Sequence, residues 1–420
     1  MAIKRVLLII LIFTVVFTSL LTACAGKSVA PATVSFVDHV PQAPYAENDY
    51  PLEPGSSKTA FDYFRDEGIA IGWNLGNTLD AHSGGIAGET VWGNPRANQD
   101  LMNGVKAAGY DIIRVPVTWM GDIGNAPDHR IRLNRLVRTA EVVEMAHNAG
   151  LKVIINLHHD GATESVRGDL GWLSIRRASR NQDEYNRITA QYVNLWKQIA
   201  IYFKNYGDWL IFEGFNELHD GNWGAGGDPG QFITLARWNQ LFVDTIRSTG
   251  GNNETRYLVI SGYCKNPRQT LSAGFMLPND TAEDRFIVSF HYYDPYEFGI
   301  QGSRSAWGTP ADRQRIENDF APFKEHYIDK KIPVIIGECG AVLQLHPNNP
   351  AREAEARQSR MEYIPHIFGT AKKYGLVPIY WDNGSIRGSG EKFGLFDRNN
   401  GQPNSPDSDA LIKLMVNAVR

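Results

Sequence analysis

Short apolar runs of strand length alternate with longer amphipathic stretches from Phe61 onward, and this alternation constrains the fold more than any other feature. The short runs predict buried β-strands, and the longer stretches predict helices. Eight such units over about 350 residues favour a closed (β/α)8 barrel over its main alternative, a doubly wound open sheet. No glycine-rich phosphate loop follows the first strand, which removes the usual reason to prefer the open sheet. The predicted strands are Ile71–Leu75, Ile112–Val117, Val153–Leu157, Leu210–Phe215, Tyr257–Ser261, Phe286–Phe290, Pro333–Gly337 and Val377–Trp381.

The helical pattern is clearest between Asn134 and Ala149, where apolar residues recur at spacings of three and four and Gly150 follows as a cap. We find no internal repeat and no sign of a second domain, so residues 58–420 are expected to form one (β/α)8 domain. The other predicted helices are Asp100–Ala108, Asp183–Tyr206, Ile233–Ser248 and Ala356–Tyr374.

Residues 1–23 have the pattern of a signal peptide, with Lys4 and Arg5 before an apolar run at Val6–Leu21. That run is short for a membrane-spanning helix, which needs about 20 apolar residues. It ends in Leu21-Thr22-Ala23-Cys24, which resembles the lipobox of bacterial lipoproteins. The resemblance implies cleavage before Cys24 and a lipid on its sulfur, whereas the alternative is an ordinary signal peptide. Proline-rich residues 24–57 would then be a tether, and the protein would lie at the bacterial cell envelope, on the outer membrane or cell surface.

The net charge bears on the kind of ligand, and the cysteine content bears on disulfide pairing. The formal net charge of −4 argues against a nucleic-acid partner, which calls for a basic surface, and is compatible with a neutral ligand such as a glycan. Besides Cys24 there are two cysteines, Cys264 and Cys339, each close after a predicted strand. The sequence leaves open whether these two pair. We expect a monomer.

Polar and aromatic residues gather at the carboxyl ends of the predicted strands. In a (β/α)8 barrel the loops after those ends build the active site, and core packing alone predicts no such bias. The residues in question are Asn77, Asp80, Arg114, Trp119, His158, His159, Asn216, Glu217, His291, Tyr293, Glu338 and Trp381.

Two of these residues, Glu217 and Glu338, follow apolar runs of the kind that buried strands show. An unpaired carboxylate is costly to desolvate, so its presence there calls for a reason. Two strand-end carboxylates far apart in sequence predict a facing pair, as glycosidic bond cleavage requires. The alternative for either glutamate is a buried salt bridge.

Arg114 lies within an apolar strand and needs a counter-charge, which a catalytic carboxylate or a structural acid such as Asp111 would supply. The sequence His158-His159-Asp160 suggests a metal site at first. However, neighbours on a strand point to opposite faces, and no Cys or His cluster completes a ligand set. We therefore expect no metal and no cofactor, and a hydrogen bond from His158 to a sugar hydroxyl instead.

Six tryptophans lie in or beside the predicted strand-end loops. An indole face can carry the apolar face of a sugar ring while its N–H takes a hydroxyl, so this set predicts a lined cleft that cuts within a polymer. The alternative for each is core packing. They are Trp92, Trp119, Trp172, Trp223, Trp307 and Trp381.

From about Ile69 to Arg398 the chain resembles the family 5 glycoside hydrolases, and most of all their subfamily 4. The motifs that carry the resemblance are Gly72-Trp73-Asn74-Leu75-Gly76-Asn77-Thr78-Leu79-Asp80, Ile113-Arg114-Val115-Pro116, Asn156-Leu157-His158-His159, Asn216-Glu217, His291-Tyr292-Tyr293, Gly337-Glu338 and Phe393-Gly394-Leu395-Phe396-Asp397-Arg398.

The resemblance implies a retaining (β/α)8 enzyme with Glu217 as general acid/base and Glu338 as nucleophile. By the same resemblance, Asn216 would bond the sugar 2-hydroxyl, and Arg114 would keep Glu338 ionised. Tyr293 would contact the nucleophile with His291 beside it, while His158, Asn77, Asp80 and Trp381 would bind glucosyl units. Cys339 departs from the larger residue expected after the nucleophile, but we expect it to face away from the barrel interior.

The implied activity is endo-cleavage of β-1,4-glucans, with xyloglucan the leading substrate because the chain has no cellulose-binding module and a tethered enzyme suits a soluble branched polymer. The alternatives are a general endoglucanase on unbranched or mixed-linkage glucan, a β-mannanase of the same fold, and a surface glycan-binding lipoprotein without catalysis.

Overall fold

The computed structural model describes residues 45–161, 171–221, 223 and 226–420. The predicted signal peptide, the lipidation site at Cys24 and the first part of the tether lie outside the described residues. Within those residues no helix is both long and apolar enough to cross a membrane.

Eight parallel strands close into a barrel in which each strand pairs with the next along the chain. Gly72 on the first strand is in register with Ile112 on one side and with Ile379 on the other, which closes the sheet. The predicted (β/α)8 architecture is confirmed. The strands are β1 Gly72–Leu75, β2 Ile112–Val115, β3 Lys152–Asn156, β4 Leu210–Glu213, β5 Leu258–Ser261, β6 Phe286–Tyr292, β7 Val334–Cys339 and β8 Leu376–Asp382.

The predicted helices are all present, with ends that differ by a few residues. Six helices were missed, and three of them are short, with four to six residues. The six are Ala60–Asp66, Ile175–Arg180, Pro267–Thr270, Tyr296–Gly299, Pro310–His326 and Pro406–Val419. The helix Pro310–His326 buries only Ile316, Phe320 and Phe323 among its 17 residues and contains Pro322. The spacing of the three is helical, but so few apolar residues beside a proline give a weak signal. The helices are α1 Ala60–Asp66, α2 Gln99–Ala107, α3 Leu133–Asn148, α4 Ile175–Arg180, α5 Gln182–Tyr202, α6 Pro229–Ser248, α7 Pro267–Thr270, α8 Tyr296–Gly299, α9 Pro310–His326, α10 Pro350–Lys373 and α11 Pro406–Val419.

The barrel interior has two levels that differ in polarity. The lower level is apolar, and α1 covers its open end with Ala60, Tyr63 and Phe64. Successive inward positions on a strand are two residues apart, and the next inward positions are mostly polar or glycine. The lower level contains Ile112, Ile154, Ile211, Val259, Ile287, Ile335 and Ile379. The upper level contains Asn74, Arg114, Asn156, Glu213, Ser261, Ser289 and Gly337.

The described end of the predicted tether packs against the barrel. Glu53 accepts a hydrogen bond from the backbone N–H of Gly207 at 2.9 Å, and Ser56 N–H donates to Asp208 Oδ2 at 2.8 Å. Trp209 Nε1 also donates to Glu53. These partners lie in the loop before β4. Residues 45–57 are therefore part of the folded domain, which corrects the boundary predicted at residue 58.

Cys264 and Cys339 are both buried, and neither forms a disulfide. Cys339 packs in the layer between the barrel and its helices, as expected from a side chain that faces away from the interior. Desolvation raises the pKa of both thiols above the ordinary range.

Candidate active site

A fully buried guanidinium, that of Arg114, connects the acidic groups at the carboxyl end of the barrel. Its Nε donates to Glu213 Oε2 at 2.6 Å, and its Nη1 donates to Glu338 Oε1 at 2.8 Å. Its Nη2 donates to Asn216 Oδ1 at 2.7 Å. The side chain is thus fixed on three sides, and it joins β2 to β4 and β7.

The sequence suggested a structural acid for Arg114, either Asp111 or another residue, and Asp111 is not that partner. Asp111 bonds Arg420 Nη2 at 2.6 Å, and its other carboxylate oxygen accepts the backbone N–H of Ala70. The structural partner of Arg114 is Glu213, a completely buried residue that the sequence reasoning missed. It could have been found by the argument used for Glu338, because it is a carboxylate within an apolar run.

Glu338 lies inside β7, one residue before its end, and its side chain is 8% exposed. Tyr293 donates its hydroxyl to Glu338 Oε2 at 3.0 Å, and His291 Nδ1 lies 3.5 Å from the same oxygen. His158 Nε2 is 4.0 Å from Oε1. Both carboxylate oxygens therefore face groups that favour the ionised form.

An extra residue in β7 directs Glu338 into the site. The pairings of β7 with β6 and with β8 both shift register around Gly337. Such a bulge changes which face a following side chain points to. A Cβ at Gly337 would lie 2.7 Å from Ser289 Oγ and 3.2 Å from His291 Nε2, so a larger residue there would clash with Ser289 and crowd His291.

Glu217 does not end a strand as predicted, since β4 stops at Glu213 and Glu217 lies four residues later in the loop. Its side chain is 21% exposed, and its Oε1 lies 2.6 Å from His291 Nδ1. One carboxylate oxygen of Glu217 lies within 4.8 Å of one on Glu338. The two predicted carboxyl groups therefore face each other across the barrel mouth.

The surroundings of Glu217 and Glu338 differ, so the two carboxyl groups differ in pKa. Burial, with repulsion from Glu338, raises the pKa of Glu217 to about 8. Burial also raises the pKa of Glu338, but the charge and hydrogen bond of Arg114 and the hydroxyl of Tyr293 oppose that rise. At neutral pH Glu217 is the group that holds a proton.

His158 and Trp381 form the wall next to this pair. Their rings are parallel, within 3°, with centroids 5.8 Å apart. His158 Nδ1 lies 3.3 Å from the side-chain amide of Asn156. Burial lowers the pKa of His158 well below its ordinary range, so its ring is neutral and suited to hydrogen bonding with a neutral ligand.

Asp80 is fully buried, and both of its carboxylate oxygens accept backbone N–H groups, from Asn77 at 3.0 Å and Thr78 at 2.7 Å. A direct contact between Asp80 and a sugar is therefore not supported. Asp80 instead shapes the turn that presents Asn77, which has a left-handed backbone with φ 56°. It also lies 3.7 Å from His159 Nε2.

The geometric reason for excluding a metal was wrong. β3 ends at Asn156, and His159 begins a short 3-10 turn, so His158 and His159 do not point apart. Ligand atoms of Asp80, His158 and His159 lie within 4.8 Å of one another. We assign no ion to them because the Asp80 oxygens and His158 Nδ1 already contact protein groups.

Two of the six tryptophans belong to the core and not to a cleft. Trp119 is fully buried with its Nε1 donating to Asn156 O, and Trp307 packs against Tyr363. Trp92 and Trp223 are exposed, at 41% and 56%. Trp92 also contacts the ring of His159, so it borders the site.

The motif Phe393–Arg398 acts through the end of β8. Asp382 Oδ2 accepts the backbone N–H of Leu395 at 2.9 Å, and Arg398 Nη2 donates to Asp382 Oδ1 at 3.0 Å. These bonds fix the strand end that carries Trp381. A second group that the sequence reasoning missed is Lys265, which is fully buried and ion-paired with Glu213.

Two carboxyl groups this close, one protonated and one held ionised, provide what glycosidic bond cleavage requires. Fold and site together define a glycoside hydrolase. Comparison with known proteins specifies it further, since the profile of the cellulase family, glycosyl hydrolase family 5, matches residues 77–386.

Endoglucanase A from Paenibacillus barcinonensis is 36% identical over 353 residues, which covers 79% of this chain and 84% of that protein. Among solved structures, a GH5-4 broad specificity endoglucanase from Bacteroides salanitronis is 36% identical with a TM-score of 0.78, and covers 90% of this chain and 99% of that chain. A family 5 xyloglucanase from Paenibacillus pabuli is 35% identical with a TM-score of 0.75, and the match covers 84% of this chain and 99% of that chain. The chain belongs to glycoside hydrolase family 5, and its activity is that of an endo-β-1,4-glucanase.

We predict that Glu217→Gln stabilises the folded protein, and more so at alkaline pH. Below pH 4.5, the ordinary pKa of a glutamate, residue 217 is neutral in both states and contributes nothing. As the pH rises towards about 8, the unfolded chain ionises while the folded chain keeps its proton, so stability is lost. At alkaline pH the free energy of unfolding of the parent is lower by on the order of 3 to 5 kcal/mol because of Glu217, and Glu217→Gln removes this loss. Thermal unfolding from about pH 5 to about pH 9 measures it.

The control is Glu325→Gln, which changes an exposed glutamate on α9 and should leave the unfolding temperature nearly unchanged. A stability difference between Glu217→Gln and the parent that does not vary with pH would contradict the prediction.

Proposed function

We propose that this enzyme is a retaining endo-β-1,4-glucanase of subfamily 4 in which Glu338 is the nucleophile and Glu217 the general acid/base. The observation that carries the proposal is the separation of the two carboxyl groups, whose nearest oxygens lie within 4.8 Å. Retaining enzymes hold their carboxyl groups about 5–5.5 Å apart, whereas inverting enzymes need about 6.5–9.5 Å to admit a water.

In the first step, an oxygen of Glu338 attacks the anomeric carbon and the bond to the leaving oxygen breaks. Glu217 gives its proton to that oxygen, and a covalent glycosyl-enzyme forms. The raised pKa of Glu217 keeps the proton available, and Arg114 and Tyr293 hold Glu338 in its ionised form. Asn216, whose Oδ1 accepts from Arg114, is placed to donate its amide to the sugar 2-hydroxyl.

In the second step, Glu217 takes a proton from water, the water oxygen bonds to the anomeric carbon, and the bond to Glu338 breaks. Two inversions give net retention. His291 contacts both carboxyl groups, and burial lowers its pKa well below its ordinary range. Its neutral ring therefore offers one donor and one acceptor nitrogen as the charge on Glu217 changes.

Xyloglucan is the leading substrate in this proposal. A groove of about 270 Å³ runs between the loops that follow β6, β7 and β8. Ile300 and Val342 line the groove and also pack with Trp381 and Tyr293. The groove therefore adjoins the wall next to the carboxyl pair, to which Trp381 belongs. Space beside the backbone site supports a polymer with side chains, and the Paenibacillus pabuli relative is a xyloglucanase.

The second candidate is a general endoglucanase on unbranched or mixed-linkage glucan, because the Bacteroides salanitronis relative has broad specificity. A binding protein without catalysis is disfavoured because both carboxyl groups are present and His291 contacts both of them. We also propose that a lipid on Cys24 anchors the protein at the outer membrane or cell surface, on the strength of the sequence Leu21-Thr22-Ala23-Cys24. We further propose that the protein is a monomer.

Azide separates the roles of the two glutamates. Glu217→Ala should lower turnover by roughly 10²–10⁴-fold, and Glu338→Ala should abolish it almost completely. With azide, Glu338→Ala should yield a glycosyl azide of inverted configuration, and Glu217→Ala one of retained configuration. A retained product from Glu338→Ala would disprove its assignment as nucleophile.

Initial rates on tamarind xyloglucan, carboxymethylcellulose, barley mixed-linkage glucan and mannan test the substrate. We expect the highest rate on xyloglucan, with large branched oligosaccharides as products. Fastest cleavage of an unbranched glucan would favour the general endoglucanase, and fastest cleavage of mannan would favour the β-mannanase.

Expression of the full chain in a bacterial host with a labelled fatty acid tests the anchor. Label and membrane association should both be lost in Cys24→Ser, because serine offers no sulfur for the lipid. Export of an unlabelled soluble protein from the parent sequence would support an ordinary signal peptide instead.

A further inference from the structure

Beneath the catalytic pair lies a buried cation that the proposed mechanism does not use. We infer that Lys265 is a positioning residue, which neutralises Glu213 and so leaves the charge of Arg114 available to Glu338. This inference rests on the proposed role of Glu338 as nucleophile. Lys265 itself is too deeply buried to touch substrate, with no exposed side-chain area.

Three contacts hold the Lys265 ammonium inside the barrel. It pairs with Glu213 Oε1 and donates to Ser261 Oγ at 2.9 Å, and it lies 3.4 Å from Ser289 Oγ. The two serines stand on β5 and β6 at inward positions, where a larger side chain would fill the space. The small residues of the upper level therefore form a compartment for one ammonium group.

The backbone is also bent to bring this lysine inward. Cys264 and Lys265 both have left-handed backbone conformations, with φ 55° and 48°. Such a conformation is disfavoured for a residue with a Cβ, because the Cβ comes too close to the following carbonyl oxygen. Strain of this kind persists only where the surrounding structure enforces it, and it is concentrated at functional sites. The ion pair with Glu213 is what the strained turn makes possible.

The charges form a chain from Lys265 to Glu213, then to Arg114 and finally to Glu338. Two cations and two anions balance as long as Lys265 is present. Without it, Glu213 and Glu338 share the single charge of Arg114, and the ionised form of Glu338 loses support. Burial raises the pKa of Glu213, but Arg114 and Lys265 outweigh burial and lower it, so Glu213 is the anion to be neutralised.

Other titratable groups also face this chain. His158 stands on the β3 loop, His291 and Tyr293 stand on and after β6, and Glu217 and Glu391 come from the loops after β4 and β8. The pKa values of both histidines are lowered well below the ordinary range, and that of Tyr293 is raised well above it, so these three are neutral near pH 7. Burial lowers the pKa of Lys265, but the charge of Glu213 and its hydrogen bond oppose that fall, so Lys265 and Arg114 are the cations of the described site.

The pH dependence of kcat/KM on a soluble β-glucan tests the inference with Lys265→Met. Loss of the cation should raise the pKa of Glu338, so the acid limb should move to higher pH by on the order of one unit. The alkaline limb, set by Glu217, should move in the same direction. KM should change little, because Lys265 does not touch substrate.

The double variant Glu213→Gln/Lys265→Met removes both charges of the pair, so its acid limb should return towards that of the parent. Lys152→Met is the matched control. It removes a lysine that pairs with Glu67 at the opposite end of β3, and should leave both limbs in place.

An unmoved acid limb in Lys265→Met would overturn the inference, because a purely structural lysine has no effect on the pKa of Glu338. An acid limb that stays displaced in the double variant would also overturn it, because the shift would then not come from the unbalanced charge of Glu213. If Lys265→Met does not fold, Glu213→Gln provides the comparison, since it adds net positive charge and its acid limb should move to lower pH. A limb that stays fixed there would also overturn it. Failure of the nucleophile assignment would show separately, as activity retained in Glu338→Ala.

Discussion

The site depends on one interaction, the ion pairing of buried Arg114 with both Glu213 and Glu338. Neither carboxylate could remain ionised at this depth alone, because desolvation of a single charge costs several kcal/mol. The guanidinium bonds both carboxylates, Lys265 adds a second positive charge at Glu213, and the remaining guanidinium N–H groups bond Asn74 and Asn216. Four strands are thereby fixed relative to one another at the level where the chemistry occurs.

The same pairing explains why the barrel interior changes character along its axis. The lower level is aliphatic and closed by α1, and it can be stabilised by hydrophobic burial alone. The upper level contains charged and hydroxyl side chains in place of aliphatic ones, so hydrophobic burial does not stabilise it and every charge there requires a partner. Glu217 stays protonated because burial raises its pKa and the negative charge of Glu338 raises it further, which outweighs the opposing charges of Lys265 and Arg114.

Much of this was predictable from the sequence, and the rest depended on contacts that strand patterns do not encode. The eight strands followed from apolar runs, and Glu217 and Glu338 followed from carboxylates beside such runs. Glu213 could have been found in the same way, but its pairing with Arg114 and the bulge at Gly337 could not, because register and pairing are set across strands and not along them. Trp119 and Trp307 were misplaced for a related reason, since position beside a strand end does not reveal which way a side chain packs.

The buried thiols of Cys264 and Cys339 have a practical consequence. Burial keeps both groups protonated, and a protonated, inaccessible thiol reacts poorly with oxidants and alkylating reagents. Within the described residues no cross-link needs to form during folding, so the domain can be produced in a reducing cytoplasm as readily as in an oxidising compartment. A cysteine introduced in the loop after β4, for instance at exposed Trp223, would then be the reactive thiol among the described residues. Selective attachment of a fluorescent reporter there would allow binding of a polysaccharide to be followed directly.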